Sequence, residues 1–397
     1  MKARGFSFET LARDGAARRG RLTTPHGVVE TPAFMPVATY GAVRGLAPQD
    51  LRALGAQIVL ANTYHLHERP GEEVVASLGG LHGWSGWSGP WLTDSGGFQV
   101  TSLADRVEVS EDGVAFVSPL DGRRRRLRPE DAVAIQESLG PDVAMVLDEC
   151  LPVKARIAGA ESAADPSRAR AAMERTLRWA ERSRRAQRRS DQALFGIVQG
   201  GTSQKLREES ARGTAALEFD GYAHGGLGLG EAPEQRTDLV AAAQSALPDA
   251  APRYLMGIGR PQDLLAGIAA GVDLFDCVVP TRHARHGLLY TESGVLAIKN
   301  ARFRSDPAPV DERCDCPTCR EHSRAFVSHL LRTGESLGGR LATLHNLRFY
   351  LRLMGRARDA IAAGSLAELV ARLAESAARE GAPAESPPAG SPGPSSP

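Results

Sequence analysis

The 397-residue chain contains no run of about 18 apolar residues, so no segment offers the length of a membrane-crossing helix. Its first twenty residues are polar, which excludes the apolar stretch of a secretory signal. The cytoplasm is therefore the expected location, and no membrane is expected among its partners. Charge of one sign is lacking as well: 48 basic and 47 acidic side chains leave a net charge of +1. Bulk charge therefore does not draw in a polyanion. Only local basic clusters can, and they occur at 123–128, 178–189 and 282–285. Cysteine is sparse, five in all.

Three of those five, Cys314, Cys316 and Cys319, fall within six positions. Thiols at this spacing cannot all pair with one another as disulfides, but they can converge on one tetrahedral Zn²⁺. His345 is the expected fourth ligand, because Leu344-His345-Asn346-Leu347 lies in an apolar periodic run where a buried imidazole needs a partner. His322 and His329 are its rivals. A Cys3His set leaves no open position, so the ion is expected to be structural and to staple a subdomain at 282–345 onto what precedes it.

With 42% hydrophobic and 24% charged residues, the chain can bury one large core or two ordinary ones. Short apolar runs recur at 33–37, 58–61, 91–93, 143–147, 194–198, 221–223, 254–256 and 274–277. Helix-like segments lie between most of them, at 48–54, 129–139, 171–185, 203–216, 234–247 and 261–270. Eight such alternations over about 250 residues predict a (β/α)8 barrel; a doubly wound open sheet would have the same element count. The expected organisation is a barrel over 1–281 with an N-terminal hairpin and an inserted hairpin at about 107–127, turning at Glu111-Asp112-Gly113. Helices at 346–375 would complete it. Residues 376–397, rich in Pro, Ser, Gly and Ala, read as a disordered tail.

Barrel active sites gather at the C-terminal ends of the strands. Here those ends are Asp94, Asp148, Gln199, Gly226, Gly257 and Asp276, so three carboxylates and an amide would face one another. One Asp alone at such a place is as readily a helix cap; three together are harder to explain that way.

The ordered motifs Thr31-Pro32-Ala33-Phe34-Met35-Pro36-Val37, Asn62-Thr63-Tyr64-His65-Leu66, Thr93-Asp94-Ser95-Gly96-Gly97-Phe98-Gln99, Leu147-Asp148-Glu149-Cys150, Gly196-Ile197-Val198-Gln199-Gly200-Gly201, Tyr254-Leu255-Met256-Gly257 and Phe275-Asp276-Cys277-Val278-Val279-Pro280-Thr281-Arg282 precede the cysteine set. Together they resemble the bacterial tRNA-guanine transglycosylases of the queuosine pathway over about 6–373. The resemblance implies a (β/α)8 barrel with a zinc-binding insertion, and base exchange at the tRNA wobble position through a covalent ribosyl-aspartate. It implies that Asp276 is the nucleophile and Asp94 the general acid/base. Asp148 would accept from the N1–H and N2–H edge of the purine, Gln199 would serve the O6/N7 edge, and Gly226 would contact O6 through its backbone. Ser95, Gly96, Gly97 and Leu227 would line the base site, and Phe98 and Met256 would sandwich the ring.

In the loop Leu227-Gly228-Leu229-Gly230-Glu231, relatives usually carry a small residue and then Val where this chain has Gly228 and Leu229. Leu229 narrows the space, and Cys150 is the bacterial choice. The expected incoming base is 7-aminomethyl-7-deazaguanine, with Glu231 placed to accept from its aminomethyl group. For tRNA, the resemblance implies contacts from Gly257, Ile258, Gly259, Arg260, Pro261, Gln262 and Asp263, and from Thr281, Arg282, His283, Ala284 and Arg285 in a basic loop at 282–286. His283 and His286 stand where many relatives have Asn. The anticodon loop is thus the expected partner, and a homodimer the expected assembly. The run at 123–126 is either a solvated hairpin face or a further tRNA contact. His65-Leu66-His67 looks like a catalytic metal motif, but later strand ends supply Gln199, Gly226 and Gly257 rather than further ligands. The family also includes a catalytically silent partner subunit and an archaeal branch with extra C-terminal domains; the presence of both Asp94 and Asp276, and the short stretch after the cysteine set, point away from these.

Overall fold

The computed structural model describes residues 3–103, 105–151, 154–157, 160–163 and 166–379. The tail expected at 376–397 therefore lies largely outside the described residues. Eight parallel strands close into a barrel in chain order. The first is split at Pro36, which has no N–H to give to a ladder. Its halves are Ala33–Met35, paired with the last strand Leu274–Asp276, and Val37–Ala38, paired with the second strand Val59–Ala61. The remaining strands are Trp91–Thr93, Val143–Met145, Ala193–Val198, Gly221–His224 and Arg253–Leu255. They read as continuous apolar runs because both faces are buried. Pairing of the first strand with the last excludes the open sheet.

The helices start where local chemistry favours it. Pro129, Pro233, Pro261 and Pro280 occupy first turns, where a missing N–H costs nothing, and Asn62 and Ser203 cap helices with their side chains. The N-terminal piece is a three-stranded antiparallel sheet, Ser7–Asp14, Ala17–Thr24 and Gly27–Thr31, rather than a two-stranded hairpin. It is pinned beneath the barrel by the buried Arg18–Asp273 pair. The insertion likewise has three strands, Asp105–Val109, Val114–Val117 and Arg124–Leu127, with the expected first turn followed by a second.

A 28-residue helix, Ser336–Ala363, ties the cysteine-bearing region to the barrel. Leu344, Leu347, Tyr350, Leu353 and Met354 share a buried cluster with Phe34, Leu255 and Phe275 of the barrel. Each fully buried leucine contributes about 2 kcal/mol of transfer free energy. The boundary expected at 345/346 falls inside this helix.

Candidate active site and metal centre

Asp94 follows the third strand and is 8% exposed. Its carboxylate accepts from Asn62 Nδ2 at 2.6 Å and from the Thr63 N–H at 2.9 Å, both at the end of the neighbouring second strand. Burial pushes its pKa up to about 7, against the pull of the Thr63 bond, and the charges of Asp276 and Asp148 raise it further. A carboxyl poised there can give and take a proton near neutral pH.

Asp276 ends the eighth strand. Its Oδ1 accepts from the Tyr254 hydroxyl at 2.6 Å and from the Gly257 N–H at 2.7 Å. Burial raises its pKa while these two donors oppose the rise. Both bonds fall on Oδ1, so neither donor engages Oδ2. Asp276 acts on Asp94, and both act on Tyr254, so the two carboxylates lie within electrostatic reach of each other.

Asp148, 6% exposed, accepts from Gln199 Nε2 at 2.7 Å and lies 3.5 Å from Ser95 Oγ. Burial lifts its pKa to about 6. Two glycines press against this pair. A Cβ on Gly225 would stand 2.7 Å from Gln199 Nε2 and 3.3 Å from Asp148 Oδ2, and one on Gly226, whose φ is +67°, would stand 2.4 Å from Gln199 Oε1. The left-handed φ of Gly226 favours glycine, and a Cβ at either position would displace the Gln199 amide. Gly97 is equally constrained, since a Cβ would lie 3.1 Å from the Asp148 carbonyl. Phe98 is exposed, Met256 half-buried and Leu227 buried. The Glu231 carboxylate is bound to the Gly228 and Leu229 N–H groups and to Arg236 Nε. Its side chain thus braces the loop.

Cys314, Cys316, Cys319 and His345 bring four ligand atoms within 4.8 Å of one another. His345 Nδ1 lies 3.2 Å from Cys319 Sγ and 3.8 Å from Cys316 Sγ, bracketing the separation of about 3.6 Å expected for N and S on one tetrahedral ion. The other ring nitrogen, Nε2, is 2.7 Å from the Tyr290 carbonyl. That bond takes the imidazole proton and turns the Nδ1 lone pair toward the sulfurs. The donor set fits a metal ion. His322 and His329 are not in the cluster; the His322 ring instead packs at a tilt against Phe326.

Residues 14–379 match the family Queuine tRNA-ribosyltransferase. The chain is 51% identical to the queuine tRNA-ribosyltransferase of Marinobacter nauticus over 365 residues, covering 92% of this chain and 95% of that protein. It is 54% identical to the one from Thermus thermophilus over 359 residues, covering 90% and 91%. The chain belongs to the queuine tRNA-ribosyltransferase family. By that membership it is a glycosyltransferase of the tRNA-guanine transglycosylase kind.

Within this queuine tRNA-ribosyltransferase family member, the segment 282–286 is not a loop as expected. Val279–His286 is a helix, with Pro280 in its first turn and a left-handed Gly287, φ +89°, at its end. The signals were Pro and Gly, and the run of charge obscured them. Arg285 and His283 each have a pKa lowered first by burial and then by cationic neighbours, Arg44 and Arg282 for Arg285, and Arg282, His286 and Arg260 for His283. Arg44 and Arg260, from two other segments, therefore lie within electrostatic reach of the helix that follows Asp276. The Arg run at 123–126 differs: Arg124 pairs with Glu108 at 2.6 Å, Arg125 with Glu68 at 2.7 Å and Arg126 with Asp112 at 2.7 Å. The run at 178–189 is matched in the same way, through Glu111, Glu130, Glu181 and Asp191. His67 is held by Glu72 at 2.7 Å.

Sequence reasoning assigned no role to Asn62, Thr63, Tyr254 or Arg44. The first three sat inside quoted motifs, and their contacts depend on which strands become neighbours. The long helix adds two more positioning side chains: Asn346 Nδ2 donates to the Pro280 carbonyl at 2.9 Å, and the Tyr350 hydroxyl to the Gly259 carbonyl. No described helix is long and apolar enough to cross a membrane.

Proposed function

We propose that this chain exchanges guanine at the wobble position of tRNAs with GUN anticodons for 7-aminomethyl-7-deazaguanine, by double displacement. An oxygen of Asp276 attacks C1′ of the ribose, the C1′–N9 bond breaks, and its electron pair leaves with the base. Asp94 supplies the proton that neutralises the departing guanine, and takes one from the incoming base before that base displaces the aspartate. Two inversions give net retention at C1′. Asp148 accepts from the N1–H and N2–H edge, the Gln199 amide and the Gly226 backbone serve O6, Ser95, Gly96, Gly97 and Leu227 line the pocket, and Phe98 and Met256 cover the ring faces.

The observation that carries this reading is the division of environment between a buried carboxyl and a half-buried one: Asp94 tuned to about pH 7, and Asp276 steadied by two donors on a single oxygen. Arg260, Arg282 and Arg285, with the backbone from Gly257 to Asp263, would hold the anticodon loop, and the target nucleotide must leave its stack to reach Asp276. The ion in the Cys3His site is taken as one structural Zn²⁺, which when bound would lock the subdomain that carries Tyr290 and Asn346. A homodimer in the cytoplasm completes the reading. Exchange of radiolabelled guanine into tRNA tests it: incorporation is expected, and its absence in metal-replete protein would leave a tRNA-binding subunit without chemistry.

A further inference from the structure

Arg207, on the helix Gln204–Ala215, is completely buried. Its guanidinium donates to four main-chain carbonyls: Nε to Gly201 at 3.0 Å, Nη1 to Val198 at 3.2 Å and to Gly225 at 2.8 Å, and Nη2 to Gly226 at 3.5 Å. Among the described residues it forms no ion pair with a carboxylate. Burial lowers its pKa to about 10, with Cys150 and Glu231 opposing the fall, so it remains a cation at neutral pH. A buried cation held only by carbonyl dipoles is costly, and an apolar side chain would fill the same space without that cost.

The four carbonyls belong to the last residue of the fifth strand and to the loops after the fifth and sixth strands, the loops that carry Gln199 and Gly226. The Gly225 carbonyl and the Gly226 N–H are two ends of one peptide unit; the Gly226 carbonyl and the Leu227 N–H are two ends of the next. A cation at the oxygen end polarises the amide and strengthens the donor at the other end. Those peptides press on the Gln199 amide, as the blocked Cβ positions show.

We propose that Arg207 is a positioning residue for base specificity, holding and polarising the Gly225–Gly226–Leu227 peptides so that they select a purine with a strong acceptor at position 6. The inference rests on the base-exchange reading. It predicts that the O6 edge and the Asp148 edge of the pocket are separable, because Arg207 touches only the first.

The test is competition against radiolabelled guanine incorporation into tRNA, using 6-thioguanine, in which a larger and weaker acceptor replaces O6, and hypoxanthine, which lacks only the 2-amino donor. Wild type should prefer guanine to 6-thioguanine by about tenfold or more. In Arg207→Gln that preference should fall to within about threefold, while the preference for guanine over hypoxanthine stays within about twofold of wild type. Equal erosion of both preferences would mean a purely structural staple and would overturn the proposal, as would an unchanged 6-thioguanine ratio or a wild type that does not discriminate. Should Arg207→Gln not fold, Arg207→Lys retains the charge but cannot span all four carbonyls, and the same ratio decides. Failure of wild type to incorporate guanine at all would instead sink the base-exchange reading.

Discussion

The hydroxyl of Tyr254 stands 2.6 Å from Oδ1 of Asp276, and the two residues come from adjacent strands, the seventh and the eighth. The donor lowers the pKa of a carboxyl that burial raises. Tyr254→Phe removes it, so Asp276 should hold its proton to higher pH. The acid limb of the kcat/KM profile should move up, and exchange at neutral pH should fall about tenfold to a hundredfold, the worth of one hydrogen bond to a charged group. An unshifted acid limb would mean that Tyr254 does not govern the ionisation of Asp276.

Asp94 links activity to stability. In the unfolded chain its carboxyl ionises near its ordinary value of 3.8, whereas in the fold it keeps its proton to about pH 7. Between those values the folded state binds the extra proton, so stability falls as pH rises through this window and levels off above it. Asp94→Asn removes that slope. Its stability relative to wild type should rise from pH 4 to pH 7, by at most roughly 4 kcal/mol, while exchange is lost. Denaturant titrations of both proteins across that range measure it, and a flat difference would contradict the raised pKa.

Cys316 is both a member of the metal cluster and the N-cap of the helix Pro317–Glu321, where its sulfur accepts from the Cys319 N–H. Cys316→Ala should abolish stoichiometric zinc and lower Tm sharply, since a structural ion contributes folding free energy directly. Elemental analysis after gel filtration checks the first effect and calorimetry the second. A full complement of zinc in the variant would refute the ligand set.

The two kinds of basic surface should separate in tRNA binding. Arg260→Ala and Arg282→Ala remove cations that both act on His283, and each should reduce the salt dependence of affinity by about one ion. Arg124→Ala and Arg126→Ala remove charges already matched by Glu108 and Asp112 and should leave affinity within about twofold. Binding isotherms at several salt concentrations distinguish them; equal slopes for all four variants would refute the contrast.

The barrel was legible because its strands are apolar runs at regular spacing, with Asp, Gln or Gly at or just beyond the ends of six of the eight. The cysteine cluster was legible because its spacing is local. What the residues alone hid was anything fixed by neighbours distant in sequence. The split of the first strand at Pro36 is visible only once its two halves take different partners. The neutralised run at 123–126 depends on Glu68 and Glu108, and Arg44 joins Arg285 only because the barrel closes. Asn62 and Tyr254 lay inside recognised motifs, yet their partners Asp94 and Asp276 are 32 and 22 residues away.

The most direct measurement is capture of a denaturant-stable adduct between the protein and tRNA. The account predicts that wild type mixed with tRNA in the absence of a replacement base forms such an adduct, and that Asp276→Asn forms none while keeping its fold and its tRNA affinity. An adduct that persists in Asp276→Asn would place the nucleophile elsewhere and contradict the division of roles between Asp276 and Asp94.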